Sequence, residues 1–328
     1  MTHGRVAHLW RYPVKSLGGE RLERASVTPR GLSGDRLWAV RDLEREVTAS
    51  ARQLPALLTA SARYADAVPP DAGPGNAPEV EITFPGGDVL SSRDNRVHAR
   101  LSDLTGRRVA LTPLPPADDV SLHRLNRDRQ ADVTSPSWLR EAFGLEPHEK
   151  LPDASVVRAS DLMTLGRFST PPGMFVDLAP IHVLTTNSLD TIGAAVGSDV
   201  DVRRFRPNVL VTLSDTDDDL PEARWTGGRL TLGGAVLDLT LPTIRCVVPS
   251  RAQPGFDVDR GITRALSARA ERCLGSYCWV VEAGDVGVGD EITVRRPGTA
   301  ARLLDDSARR ARRFAFGAVA GALDRLRR

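Results

Sequence analysis

Two alternating apolar runs, Leu230–Leu232 and Val236–Leu241, flank the pair Gly233-Gly234. Period-two alternation on both sides of paired glycines is a strong hairpin signal, because glycine reaches the positive φ angles that a tight reversal needs. The chain repeats this grammar along its length. Short strands are expected at Val6–Arg11, Leu22–Thr28, Leu37–Val40, Glu79–Phe84, Val89–Leu90, Val109–Leu114, Ile181–Leu184, Val209–Leu213, Tyr277–Glu282 and Glu291–Arg295. Strands this short bury one face each and need many partners. The fold class is therefore mainly β with helical inserts (α+β), as a barrel or sandwich.

Helical inserts are expected at Asp94–Leu104 and Ser188–Val196, each followed by glycine (Gly106, Gly197), at Ser137–Phe143, and at Ile262–Cys273. Residues Val68–Pro78 are rich in Pro, Ala and Gly and read as a loop. The chain shows no internal repeat and no alternation of strand and helix. Gly287–Gly289 is a fragment of a dinucleotide fingerprint with no helix after it, which argues against a Rossmann site.

The 328 residues suffice for two domains, and a net charge of +2 does not suit a nucleic-acid binder, which needs concentrated basic surface. No secretory leader is visible at Met1–Trp10, and no apolar run is long enough to span a bilayer. The three cysteines, Cys246, Cys273 and Cys278, are too few for a disulfide framework or a four-thiolate iron–sulfur cluster. Cys273 and Cys278 read as buried reduced thiols, and a cytoplasmic setting follows. Of the 44 basic residues only Lys15 and Lys150 are lysine, so each marks a place where a compact ammonium is kept among guanidinium groups.

Three segments carry chemistry. In the first, Tyr12-Pro13-Val14-Lys15-Ser16 follows a strand, and Arg36 precedes another within Gly34-Asp35-Arg36-Leu37-Trp38. Lys15, Ser16 and Arg36 suit a phosphate or other anion at a barrel mouth. In the second, Leu184-Thr185-Thr186-Asn187-Ser188 runs from strand into helix, and Arg203-Arg204-Phe205-Arg206-Pro207-Asn208 follows. Capping explains Thr186 or Ser188 alone, although helix N-termini also take anions; the arginine cluster is not explained by capping. Asn208 offers acceptor and donors to a heterocycle edge. In the third, Pro242-Thr243-Ile244-Arg245-Cys246 places a cysteine near a strand end, where Arg245 would favour the thiolate that ligates a soft metal.

These segments, in this order, resemble the MOSC family. YPVKS and GDRxW look like that family's N-terminal β-barrel domain, and LTTxSL, RFRPN, the RC pair and VGDEITV look like the MOSC domain proper. The likeness runs from Val6 to Arg295. It implies an N-terminal β-barrel-like domain over 1–115, a connection over 116–153, a MOSC β-barrel domain over 154–297 and a separate tail from 298 to 328. It also implies a molybdenum cofactor, with Cys246 as metal ligand. Lys15, Ser16 and Arg36 would hold the pterin and its phosphate. Thr185, Thr186 and Ser188 would approach it, and Arg206, Pro207 and Asn208, with Arg245, would complete the grip.

The implied activity is reduction of a small N-hydroxylated substrate with loss of water, using electrons from a separate reductase or ferredoxin. A non-catalytic cofactor carrier or a sulfur-carrier module is the alternative. The family is also associated with pyridoxal phosphate, for which this chain has no lysine motif. One departure stands out: Val247-Val248-Pro249-Ser250-Arg251-Ala252-Gln253-Pro254-Gly255 replaces the acidic stretch that relatives place after the cysteine. The tail sets Ala315, Val319, Ala322, Leu323 and Leu326 at helical spacing among arginines, a pattern that can meet an anionic membrane surface or a partner.

Overall fold

The computed structural model describes residues 1–125, 136–145, 153–214, 216, 218–298 and 307. Residues 126–135 and 146–152 of the expected connection and, apart from residue 307, the basic tail beyond 298 lie outside them. In chain order the strands are β1 (Thr2–Arg11), β2 (Glu20–Leu22), β3 (Arg24–Thr28), β4 (Gly31–Leu32), β5 (Trp38–Asp42), β6 (Val47–Thr48), β7 (Ser61–Tyr64), β8 (Val80–Thr83), β9 (Val89–Ser91), β10 (Val109–Pro113), β11 (Ile181–Thr185), β12 (Val209–Leu213), β13 (Gly228–Leu232), β14 (Ala235–Ile244), β15 (Cys273–Glu282), β16 (Gly284–Gly287) and β17 (Glu291–Arg295). The helices are α1 (Arg96–Thr105), α2 (Pro136–Phe143), α3 (Ala159–Arg167), α4 (Thr186–Val196) and α5 (Arg260–Ala270).

Seven strands close into a barrel, in the order β1-β12-β11-β15-β14-β13-β17 and back to β1. Closure leaves none of the seven staves with an open flank, although the ladders of β1 with β12 and of β14 with β15 shift register at bulges. All neighbours run antiparallel except β11 and β12. The inward positions of these strands, among them Val6, Leu9, Val183, Val211, Leu230 and Leu239, form one core with the fully buried Trp225. Each such side chain contributes roughly 1.5–3 kcal/mol by leaving water. The glycine-bounded hairpin is present: Leu230 faces Leu237 across β13 and β14, with Gly233 at φ 51° in the turn.

The strand that shuts the barrel is the first of the chain. Leu9 registers with Val209 on one side of β1, and Gly4 with Ile292 on the other. Residues from both sequence-defined domains therefore share a single sheet. The rest of the N-terminal half forms small three-stranded sheets, β10-β5-β6 and β7-β8-β9, packed with α1 around Leu17, Val40, Leu57, Ile82, Val97 and Leu101. On the outside of the barrel, α4 and α5 bury Ile192, Ile262 and Leu266 against Leu184 and Leu210.

Several boundaries differ from expectation for physical reasons. The run Leu22–Thr28 breaks at Glu23, because β2 pairs with β1 while β3 leaves for a second sheet with β16 and β4. The helix expected to reach Cys273 ends at Ala270. Glu271 and Arg272 turn left-handed, at φ 46° and 62°, and Cys273 opens β15. Helix α3 and the short strands β6, β7 and β16 carry too little periodic signal to be read from sequence.

A buried histidine fixes the stretch that leads toward the site. The fully buried His123 accepts a hydrogen bond at Nε2 from the Gly173 amide at 3.3 Å, so Nδ1 holds the proton and donates to Thr170 Oγ1 at 2.8 Å. A second proton on the ring would point at the Gly173 N–H. Burial lowers this histidine's pKa, against a smaller opposing pull from Asp119. A lowered folded pKa means stability is present above the unfolded value of about 6.5 and is lost as pH falls below it, by at most about 1.4 kcal/mol per pH unit. The unfolding free energy in urea is expected to fall between pH 6.5 and 5, less steeply in His123→Gln than in wild type. Parallel slopes in the two proteins would contradict the assignment.

Candidate functional site

His182 on β11 and Tyr277 on β15 are direct cross-strand partners, with rings 5.8 Å apart. Their sequence neighbours Val183 and Cys278 point into the barrel core. Strand alternation therefore turns His182 and Tyr277 to the other face of the wall. Around this face gather the exit of β1, the Asp35-Arg36 turn, residues 175–177, the segment 203–208 that leads into β12, and the end of β14.

Tyr12 is the platform of the cluster. Two guanidinium groups lie over its ring, with Arg206 4.3 Å and Arg36 5.0 Å from the ring centroid. Its hydroxyl donates to the Pro207 carbonyl at 3.1 Å, and its amide donates to Asp35 Oδ1 at 2.8 Å. Asp35 also pairs with Arg36. Ser16, Arg36 and Arg206 all hold left-handed backbones, at φ 73°, 53° and 54°. Non-glycine residues seldom adopt this conformation, at a cost of about 1–3 kcal/mol each, and it concentrates at functional sites. The surrounding contacts hold these three side chains in position.

Lys15 is almost wholly buried and pairs with Asp177. Arg206 donates to the Leu17 carbonyl. Arg245 donates to the Phe205 carbonyl at 2.6 Å and lies 3.4 Å from His182 Nε2. Burial pulls the Lys15 and Arg245 pKa values down, partly offset by Asp177 and Tyr277 respectively. Burial likewise brings Arg206 down to about 10, which leaves it charged at neutral pH. Asp177 is held low, chiefly by Lys15. His182 is kept well below its ordinary value by burial and then by Arg245, so the ring is neutral.

Lys15, Arg36, Arg206 and Arg245 thus share one recess with two carboxylates, Asp35 and Asp177. Arg206 Nη2 and Arg245 Nε are buried there without a hydrogen-bond partner among the described residues. An unpaired buried charged donor is costly, about 1–3 kcal/mol or more. The donor set fits an oxyanion such as a phosphate, which supplies the missing charge and acceptors.

Cys246 borders the same recess. It is half-buried and packs against Ala51, Leu58 and Val248. The amide of Ala51 in turn donates to Ser16 Oγ at 3.0 Å, which joins the sulfur's pocket to the Lys15-Ser16 turn and leaves the Ser16 hydroxyl proton available. Among the described residues no three His, Cys, Asp or Glu side chains are grouped as a protein-built metal site requires. A metal at Cys246 would need its remaining ligands from an organic carrier, and the cation cluster beside it suits the phosphate of such a carrier.

The structure gathers Lys15, Ser16, Arg36, Arg206, Arg245 and Cys246 in one place. It does not bring Thr185, Thr186 and Ser188 to them. Thr185 lies three residues beyond His182 along β11, roughly 10 Å away at strand rise. Its hydroxyl accepts the Ser188 amide at 3.1 Å, and Thr185 N and Ser188 Oγ both donate to the buried carboxylate of Glu222. These are cap and core contacts, with hydrogen-bonding capacity spent on protein. Thr186 reaches only toward Thr212 on the outer surface, at 3.5 Å.

Asn208 is similarly committed. Its Oδ1 accepts from the His182 amide at 3.1 Å, and its Nδ2 donates to the Trp10 carbonyl at 3.3 Å. It ties β1 to β11, so it positions the recess, with at most one N–H left for a heterocycle. Pro207 contributes its carbonyl to Tyr12. Four residues of the recess, Tyr12, Asp177, His182 and Tyr277, are not marked by the sequence reading. Only Tyr12 had a signal, its place in the same motif as Lys15. A separate surface recess of about 510 Å³, lined by α4 residues and the turn to Val200, contains none of these groups.

Two family models match the chain. Residues 3–114 match the MOSC N-terminal beta barrel domain and residues 171–293 match the MOSC domain. The chain is 27% identical over 267 residues to mitochondrial amidoxime reducing component 2 of Bos taurus, covering 79% of this chain and 68% of that protein. It is 23% identical over 271 residues to mitochondrial amidoxime-reducing component 1 of Homo sapiens, with the same coverage. The crystal structure of the YuaD protein from Bacillus subtilis aligns over 90% of this chain and 97% of its own, at 13% identity and a TM-score of 0.41. The two matched regions together cover well over half of the chain, and this protein belongs to the MOSC family.

Proposed function

We propose that the chain binds a pterin-based molybdenum cofactor and uses it as an oxidoreductase toward small N-hydroxylated substrates. The observation that carries the reading is the pair of buried, unpartnered donors, Arg206 Nη2 and Arg245 Nε, in a cation-rich recess bordered by the half-buried Cys246. Lys15, Ser16, Arg36 and Arg206 would hold the cofactor's phosphate. The Cys246 sulfur would hold the metal, a soft ligand for a soft site. Likeness to two proteins named as amidoxime-reducing components supports this class of substrate. When bound, the cofactor supplies two-electron chemistry; the protein supplies orientation and field.

The residues present define what the protein contributes. Tyr12 and the left-handed backbones of Ser16, Arg36 and Arg206 fix the donors before any ligand arrives, which limits the ordering cost of binding. His182, neutral and tied to Arg245, adds no competing charge. Electrons would come from a separate reductase or ferredoxin, since the three cysteines of the chain cannot hold a cluster of the usual four-thiolate kind.

Protein purified from a host that makes the cofactor is expected to carry molybdenum and pterin in equal amounts. With an artificial reductant it is expected to convert benzamidoxime to benzamidine. Cofactor-loaded protein that fails to turn over with any donor would favour the carrier reading, which the replaced acidic stretch after Cys246 supports. Absence of both metal and pterin would remove both readings.

A further inference from the structure

We infer that Arg204 is a positioning residue that clasps the loop after Cys246 to the segment bearing Arg206, and so keeps the sulfur in a fixed, shielded place. The inference rests on the proposed role of Cys246 only for its functional meaning. The contacts themselves are independent of any ligand.

Arg204 is buried, with 8% of its surface exposed. Its guanidinium donates to three backbone carbonyls of the loop: Nη1 to Pro249 at 3.1 Å and to Arg251 at 3.2 Å, and Nη2 to Asp257 at 2.9 Å. The ring of Phe256 lies 5.0 Å from its guanidinium carbon and 4.4 Å from that of Arg203. One side chain thus gathers carbonyls spread over nine residues of loop. The opposite link runs the other way, because Arg245, the residue before Cys246, donates to the carbonyl of Phe205, the residue after Arg204. Each segment sends a guanidinium to the backbone of the other.

This reciprocity has physical consequences. A guanidinium keeps its charge at any physiological pH and offers five donors in a rigid fork, so it can bridge several carbonyls at once. An ammonium at the same place is a point donor and would hold fewer of them. The loop's other ties are short-range or reach elsewhere: Ser250 Oγ donates to the Val247 carbonyl at 2.8 Å, Gln253 and Phe256 exchange backbone bonds, and Val247 N donates to the Ala142 carbonyl at 3.1 Å. Without Arg204, residues 249–257 lose their strongest attachment to the 203–208 segment. Three carbonyls, the buried one of Pro249 and the part-buried ones of Arg251 and Asp257, would then lose their partner, which favours opening of the loop beside the sulfur.

The test is thiol chemistry on the full-length, metal-free protein. Wild type, Arg204→Lys and Arg204→Gln are treated with iodoacetamide below denaturing conditions, and each cysteine is followed by mass spectrometry. Arg204→Gln is expected to raise the Cys246 alkylation rate by about tenfold, the signature of local opening easier by about 1.4 kcal/mol. Arg204→Lys is expected to restore part of the protection. Cys278, fully buried in the barrel core, reports global unfolding and is expected to stay protected throughout. An unchanged Cys246 rate in Arg204→Gln overturns the inference. So does a parallel rise at Cys246 and Cys278, or a lysine variant no better than glutamine. None of these outcomes bears on molybdenum content, which tests the cofactor reading separately.

Discussion

Cys246→Ala protein is expected to lose molybdenum by about tenfold or more relative to wild type, because no group of three His, Cys, Asp or Glu side chains among the described residues could hold the metal without the sulfur. Pterin is expected to fall much less. The reason lies in the division of labour in the recess. The sulfur sits against Ala51, Leu58 and Val248, whereas the anion-gripping donors Lys15, Arg36 and Arg206 are organised around Tyr12 and Asp177 by contacts that do not involve the sulfur. Removing the thiol leaves those donors in place. Elemental analysis beside fluorescence detection of oxidised pterin measures both quantities in one preparation. Retention of molybdenum in Cys246→Ala would show that the metal is held elsewhere. Equal loss of pterin would show that the grip and the sulfur are not separable.

Gly275→Ala is expected to lower stability by about 3 kcal/mol or more, from the sum of a left-handed backbone and a steric conflict. Gly275 has φ 86°, and a Cβ placed there would lie 2.3 Å from His182 Nε2 and 2.7 Å from the Val183 carbonyl oxygen. The carbonyl belongs to a barrel strand and cannot withdraw. The imidazole is buried, with Arg245 3.4 Å from its Nε2 and the Tyr277 ring beside it. For a chain of 328 residues the loss corresponds to roughly 4 °C or more in melting temperature. Thermal unfolding followed by far-ultraviolet dichroism would detect it. A variant melting within a degree or two of wild type would mean that β11 and β15 can part at this point, which would undermine the close packing described for His182.

The repeated short strands were legible because period-two alternation and glycine or proline turns are local signals. The hairpin at Gly233-Gly234 is the clearest instance. What was not legible depends on partners distant in sequence. Nothing in Thr2–Arg11 says that it pairs with β12 and β17, some two hundred or more residues later. In the site, Lys15, Arg36, Arg206, Arg245 and Cys246 stood out as charged or soft groups in motif order. Asp177, His182 and Tyr277 did not, since each sits in an apolar stretch where a polar residue is usually incidental. Thr185 and Ser188 misled for a definable reason. The hydroxyl pattern that caps a helix also characterises an anion-binding N-terminus, and only the buried carboxylate of Glu222 decides between them. The positive φ at Ser16, Arg36 and Arg206 leaves no trace in composition, because none of the three is glycine.

The placement of β1 makes the two halves inseparable in practice. Excising residues 154–297 would leave β12 and β17 as bare neighbours of a missing stave, with open ladders inviting intermolecular pairing. During synthesis the earliest-made strand must wait for nearly the last before its second flank is covered. β1 therefore keeps one flank uncovered until β17 has been made, and final assembly belongs after the ribosome has released residue 295.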